Sequence, residues 1–146
     1  MYYKVTALDI SREALKFLKE KTDDIEFICS DIKDYEFPKN HYDMIFANLS
    51  LHYFDDKTTK RIIDDIKSSL TDNGYFFIRC KSTKDPQYGE GEEIAPHTFK
   101  KDHTRRFFDK EYLTKLLNDF DMVYMEESED YYYSPSAFIE AFAVKK

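Results

Sequence analysis

Three groups of polar residues stand where short apolar runs end, and they carry most of the chemistry this chain can offer. Asp9 closes the run Val5-Thr6-Ala7-Leu8. An acid placed there can accept from both hydroxyls of a nucleoside ribose, a charge-assisted bidentate contact. It can equally cap the helix that follows at once. Asp31 closes the run Ile25 to Cys29 in the pattern Cys29-Ser30-Asp31-Ile32. Its carboxylate can accept from an adenine amino group, although taken alone a turn aspartate is the better reading. The third group is Asn48-Leu49-Ser50-Leu51-His52-Tyr53-Phe54, which puts polar and aromatic side chains after a nearly continuous apolar run.

The elements that must position these residues follow from periodicity. Tyr2 to Leu8, Ile25 to Cys29, Tyr42 to Leu49 and Tyr75 to Cys80 read as strands, the third as one buried on both faces. Ser11 can cap a helix carrying Ala14, Leu15 and Leu18 on one face. Asp55 or Asp56 can cap a second, with Ile62, Ile63, Ile66 and Leu70 at helical spacing. Asp109 can cap a third, with Leu113, Leu116, Leu117 and Phe120. Thr71-Asp72-Asn73-Gly74 reads as a turn in which Gly74 suits a left-handed helix exit. Residues Ser82 to His103 carry Pro86, Gly89, Gly91 and Pro96 without a clear period and read as a long loop. Two strands close the chain, Met122 to about Tyr132 and about Ala137 to Val144, paired antiparallel across Ser134-Pro135-Ser136. Strands alternating with helices imply an α/β fold, a Rossmann-like and mostly parallel sheet with helices on both faces. Ligands in such sheets bind beyond the carboxyl ends of the strands, where the three polar groups sit.

Composition narrows the partners. The chain has 146 residues, expected to form one domain spanning 1–146, and 22 basic against 29 acidic residues give a net charge of −7. Such acidity repels phosphate backbones and argues against nucleic acid. The local basic group Lys100, Lys101, His103, Arg105 and Arg106 reads as a solvated face. Cys29 and Cys80 sit far apart in apolar runs, read as buried, reduced thiols of a cytoplasmic protein. No Cys/His spacing suits zinc, so no metal is expected. No apolar run approaches the roughly 18 residues of a membrane span.

The run Val5 to Ser11, the motif Ser30-Asp31-Ile32, the run Asp43 to Phe54, the turn Leu70 to Gly74 and the closing hairpin together resemble class I S-adenosylmethionine-dependent methyltransferases. Gly89-Glu90-Gly91 and Arg106-Phe107-Phe108 suggest their tellurite-resistance-type branch, which acts on small molecules. The resemblance implies S-adenosyl-L-methionine as cofactor and a small-molecule methyl acceptor. It implies a cofactor set of Asp9 and Ile10 at the ribose, Asp31 and Ile32 at the adenine, and Asn48, Leu49 and Ser50 at the methionine part. His52 and Tyr53 are the candidates for assisting the acceptor, with aromatic lining as their plainer role.

The departure lies at the start. The family's first strand, glycine-rich loop and first helix would precede Met1, and Gly89-x-Gly91 does not replace them. Losing that loop's hydrogen bonds would remove about 4 kcal/mol. That is roughly a thousandfold in cofactor affinity. Two rival readings follow. One is a methyltransferase-fold remnant or regulatory module that does not bind the cofactor. The other is a nicotinamide-dependent oxidoreductase, disfavoured because its fingerprint glycines are equally missing and the closing hairpin fits it less well. Without the central strand, the Tyr2–Leu8 and Tyr42–Asn48 strands are expected to pair directly, or a second chain to cover the edge in a homodimer.

Overall fold

A computed structural model describes residues 2–146, which divide into two compact units, the first ending at Glu36 and the second spanning Phe37–Lys146. The first holds β1 (Val5–Asp9), α1 (Arg12–Lys19), β2 (Ile25–Cys29) and a single 3-10 turn, Ile32–Asp34. β1 and β2 pair in parallel, Val5 opposite Ile25 through Asp9 opposite Cys29. Ser11 starts α1 as expected, its hydroxyl accepting from the Ala14 amide at 3.2 Å. Of the face Ala14, Leu15 and Leu18, only Leu15 is buried.

The second unit holds β3 (Tyr42–Asn48), α2 (Asp56–Ser69), β4 (Leu70–Lys81), β5 (Glu92–Ala95), β6 (Thr98–Lys100), β7 (Thr104–Arg106), α3 (Lys110–Leu116), β8 (Phe120–Tyr132) and β9 (Ser134–Lys145). Its main sheet runs β3-β4-β9-β8, parallel at β3–β4 and antiparallel beyond. The aspartates act as the sequence implies: Asp55 accepts from Thr58 N–H at 2.7 Å and Asp109 from Tyr112 N–H at 2.8 Å. Each such cap stabilises its helix by about 1 kcal/mol. The period-2 alternation of β4 turns Phe76, Ile78 and Cys80 inward, where Ile62, Ile63 and Ile66 of α2, Leu113 and Leu116 of α3, and Ile139, Ala141 and Ala143 of β9 are buried as well.

Several expectations are corrected. The long segment after β4 is not structureless: β5, β6 and β7 form a three-stranded antiparallel sheet within it. Strands of three or four residues give too little alternation to read from sequence. β3 is not buried on both faces; Ala47 is buried while Met44 and Phe46 are 51% and 62% exposed. The expected turn Thr71 to Gly74 lies inside β4, as an irregularity where the register against β3 passes from Leu70 opposite Tyr42 to Tyr75 opposite Met44, and its left-handed residue is Asn73 (φ 61°), not Gly74. The hairpin turns at Tyr133 (φ 62°), and Ser134-Pro135-Ser136 already belong to β9. Cys80 is buried, but Cys29 is exposed.

The direct pairing of the Tyr2–Leu8 strand with Tyr42–Asn48 is not made either. Among the described residues β1 pairs with β2 alone and β3 with β4 alone, each ladder closing within its own unit. The cost expected to force closure was that of burying unpaired backbone. Val5, Met44 and Phe46 are all more than two-fifths exposed, so neither strand is buried on both faces, which was the premise of that expectation.

Candidate functional site

In the first unit the parallel register places the two predicted acids at neighbouring strand ends. Asp9 stands opposite Cys29, and its carbonyl accepts from Ser30 N–H at 3.1 Å, one residue before Asp31. One Asp9 carboxylate oxygen accepts from Ser11 N–H at 2.7 Å, a turn ahead of α1, whose N-cap is Ser11 and not Asp9. The side chain is exposed, and a carboxylate has lone pairs beyond that single bond. It can therefore accept from a ribose diol without giving up that turn. Asp31 is more committed: one oxygen accepts from Lys33 N–H at 3.1 Å and the other from Lys33 Nζ at 3.2 Å. Ile10 is exposed and Ile32, which opens the 3-10 turn, is half-buried; both can offer apolar surface to a base or sugar.

In the second unit β3 ends at Asn48, and Leu49 takes a left-handed conformation (φ 55°) with its N–H donating to Arg79 C=O at 2.8 Å. That bend turns the chain away from the sheet and leaves Asn48 exposed and Ser50 half-buried beside the carboxyl end of β4. His52 follows, 2% exposed. Its Nδ1 accepts from Lys81 N–H at 3.1 Å and its C=O accepts from Arg106 N–H at 2.9 Å. The ring thus ties the segment after β3 to the end of β4, and the backbone carbonyl ties it to the end of β7. Burial first, then the charges of Arg105, Lys81 and His103, lower its pKa to about 3. A neutral imidazole with so low a pKa is a poor proton acceptor near neutral pH. Tyr53 is 40% exposed and stands edge-on to His52 at 4.6 Å between ring centroids.

Sequence reasoning read Arg105 and Arg106 as part of one solvated face, and the structure separates them. Arg106 is 4% exposed, its Nε donating to Asp56 at 3.0 Å and its guanidinium lying 3.7 Å from the Tyr112 ring centroid. Arg105 turns instead to the Tyr53 ring and to Gln87, whose Oε1 accepts from Arg105 Nη1 at 2.6 Å and from Lys81 Nζ at 2.7 Å. Lys81 also pairs with Asp85 at 3.3 Å. Gln87 and Asp85 were not singled out from the sequence. Only the place of Lys81, just beyond a strand end, pointed here. The long segment after β4 does lie on the His52 side, as expected, with Tyr53 and His103 rings 5.4 Å apart. A cavity of about 390 Å³ lined by Lys84, Pro86, Glu129, Asp130 and Tyr131 shares no residue with this group.

The comparisons with known proteins bear on this arrangement. Residues 1–74 match the family model described as a methyltransferase domain. The chain belongs to that family. Over 97% of its length it superposes on a SAM-dependent methyltransferase from Methanosarcina mazei, with a TM-score of 0.82, 17% identity and 81% of that chain covered. It matches the 1,6-didemethyltoxoflavin-N1-methyltransferase of Burkholderia thailandensis, bound to its substrate and S-adenosylhomocysteine, with a TM-score of 0.76, 17% identity and coverage of 99% and 62%. TehB from Haemophilus influenzae gives a TM-score of 0.74, 18% identity and coverage of 99% and 50%. These likenesses show a class I methyltransferase fold. The ribosomal RNA small subunit methyltransferase H of Nostoc punctiforme is 46% identical over 52 residues, which are 33% of this chain and 17% of that protein. The chain therefore spans a small part of that curated relative.

Proposed function

We propose that the chain acts in S-adenosylmethionine-dependent methyl transfer to a small molecule, in the cytoplasm and as a homodimer. The observation that carries the reading is the placing of polar groups at the carboxyl ends of all four strands that run parallel in pairs: Asp9, Ser30-Asp31, Asn48-to-Tyr53 and Lys81. In an open α/β sheet this is where ligands bind. The bound cofactor supplies an activated methyl group on a sulfonium. The chain's own part is to bind and align the reactants, which can supply much of the rate when the acceptor is already nucleophilic.

Asp9 holds the ribose, and Asp31 with Ile32 lies along the adenine. Asn48, Leu49 and Ser50 border the methionine part. Tyr53, exposed beside the buried His52, lines the acceptor side. A small molecule is favoured over nucleic acid because a net charge of −7 opposes a polyanion. No helix among the described residues is long and apolar enough to cross a membrane. Calorimetry with S-adenosylhomocysteine tests the assignment. Asp9→Ala should weaken binding about tenfold, the worth of one charge-assisted hydrogen bond. Equal affinity of Asp9→Ala and the parent chain would remove Asp9 from the site.

A further inference from the structure

The cations beside His52 are arranged unlike an ordinary surface pair. Lys81 Nζ has only 14% of its side chain exposed around it, and it touches Asp85 and Gln87 Oε1. Asp85 is fully committed: besides Lys81, its two oxygens accept from Gln87 N–H and Ala137 N–H, both at 2.9 Å. Arg105 has no carboxylate partner among its contacts. Its Nη1 donates to Gln87 Oε1 at 2.6 Å, its Nη2 meets His103 Nε2 at 2.9 Å, and its Nε is buried with no hydrogen-bond partner. One neutral amide oxygen therefore stands between two cations, and a single carboxylate answers them. A buried donor left unsatisfied is costly, and a guanidinium fork is shaped for a planar anion. The same two cations contribute to holding His52 neutral.

The surroundings suit a small guest. Tyr53 presents a 40% exposed ring 5.7 Å from the Arg105 guanidinium, and the exposed His103 flanks it. The group stands beyond the carboxyl ends of β3 and β4. In a chain of net charge −7, a local excess of positive charge in a partly desolvated place focuses an anion there.

We infer that Lys81 and Arg105, spaced by Gln87, receive a carboxylate on the methyl acceptor, with the Tyr53 ring against the acceptor's apolar body. This rests on the methyltransferase reading and adds the acceptor's chemical class to it. It makes Lys81 and Arg105 specificity-determining residues that fix the acceptor's orientation.

The test uses benzoate as probe, benzamide as its neutral counterpart and S-adenosylhomocysteine, each titrated into the whole chain with amide and arginine Nε–H resonances followed by NMR. Benzoate should bind saturably, shift the Arg105 Nε–H and Tyr53 signals, and compete poorly at high salt; benzamide should do neither. Arg105→Gln and Lys81→Met should each weaken benzoate about tenfold or more, and Arg105→Lys should keep part of the affinity. Unchanged amide dispersion certifies that each variant is folded. S-adenosylhomocysteine binding should be the same in the parent chain and Arg105→Gln. Absence of benzoate binding, or equal binding of benzamide, overturns the inference. So does a loss of S-adenosylhomocysteine binding in Arg105→Gln, which would give the cations to the cofactor's own carboxylate. Benzoate binding without any S-adenosylhomocysteine binding would instead sink the methyltransferase reading and leave an anion site.

Discussion

At the scale of single residues, His52 shows how a position can be legible while its role is not. The sequence places it after a strand end, where a catalytic group belongs. Its burial at 2% and its bond from Lys81 N–H appear only once β3 and β4 are paired. Those contacts make it a neutral tie between strand ends. With a folded-state pKa of about 3 against about 6.5 unfolded, the unfolded chain binds more protons between these values. The stability His52 contributes is therefore whole above pH 6.5 and is lost as pH falls toward 3. Urea unfolding at pH 7 and pH 5 should show a loss that His52→Asn reduces by up to about 1.4 kcal/mol per pH unit. An identical pH dependence in His52→Asn would contradict the buried, neutral ring. Asp9 and Asp31 were legible in place, since each follows a strand directly; the turn foreseen at Asp31 is made, while the cap foreseen at Asp9 falls to Ser11.

At the scale of elements, the caps at Ser11, Asp55 and Asp109 and the apolar spacing of α2 were plain in the sequence because they are local. The sheet β5-β6-β7 was not, because pairs such as Phe99 with Arg105 join short strands carrying charged residues. The irregularity of Thr71 to Gly74 was legible, but it lies within β4, and its glycine was given the wrong reason. Asn73 takes the positive φ, while a Cβ on Gly74 would stand 2.8 Å from the Thr71 carbonyl oxygen and 3.3 Å from that of Asp43. Both are backbone atoms and cannot swing aside. Gly74→Ala should cost about 1–3 kcal/mol in urea unfolding, as overpacking does, whereas Asn73→Gly should be near neutral. A neutral Gly74→Ala would show that the approach is looser than described.

At the scale of the whole molecule, the α/β class and the closing antiparallel hairpin were legible because strand and helix periods alternate along the chain. Periodicity alone does not say which strands join, because pairing is a long-range property; the expected closing hairpin is made and the expected pairing of Tyr2–Leu8 with Tyr42–Asn48 is not. Among the described residues β3 pairs with β4 alone, and it presents Met44 and Phe46 to solvent, with Phe46 stacked on Phe77 at 4.4 Å. Beside them Tyr75, Phe142 and Tyr124 stack across β4, β9 and β8, and Tyr75 and Tyr124 are more than two-fifths exposed. An open strand edge beside exposed aromatics favours association. Sedimentation velocity should find a dimer that Phe46→Lys converts to monomer, and a monomeric parent chain would contradict the proposed homodimer.

The central claim is that the chain binds S-adenosylmethionine through the polar groups at its strand ends. It is tested most directly by titrating S-adenosylhomocysteine into the labelled chain and following backbone amides, a measurement that registers weak binding as well as strong. The account predicts saturable shifts at Asp9, Ile10, Asp31 and Ile32 and at Asn48, Leu49 and Ser50. Shifts absent at saturating ligand, or confined to residues elsewhere, would contradict it.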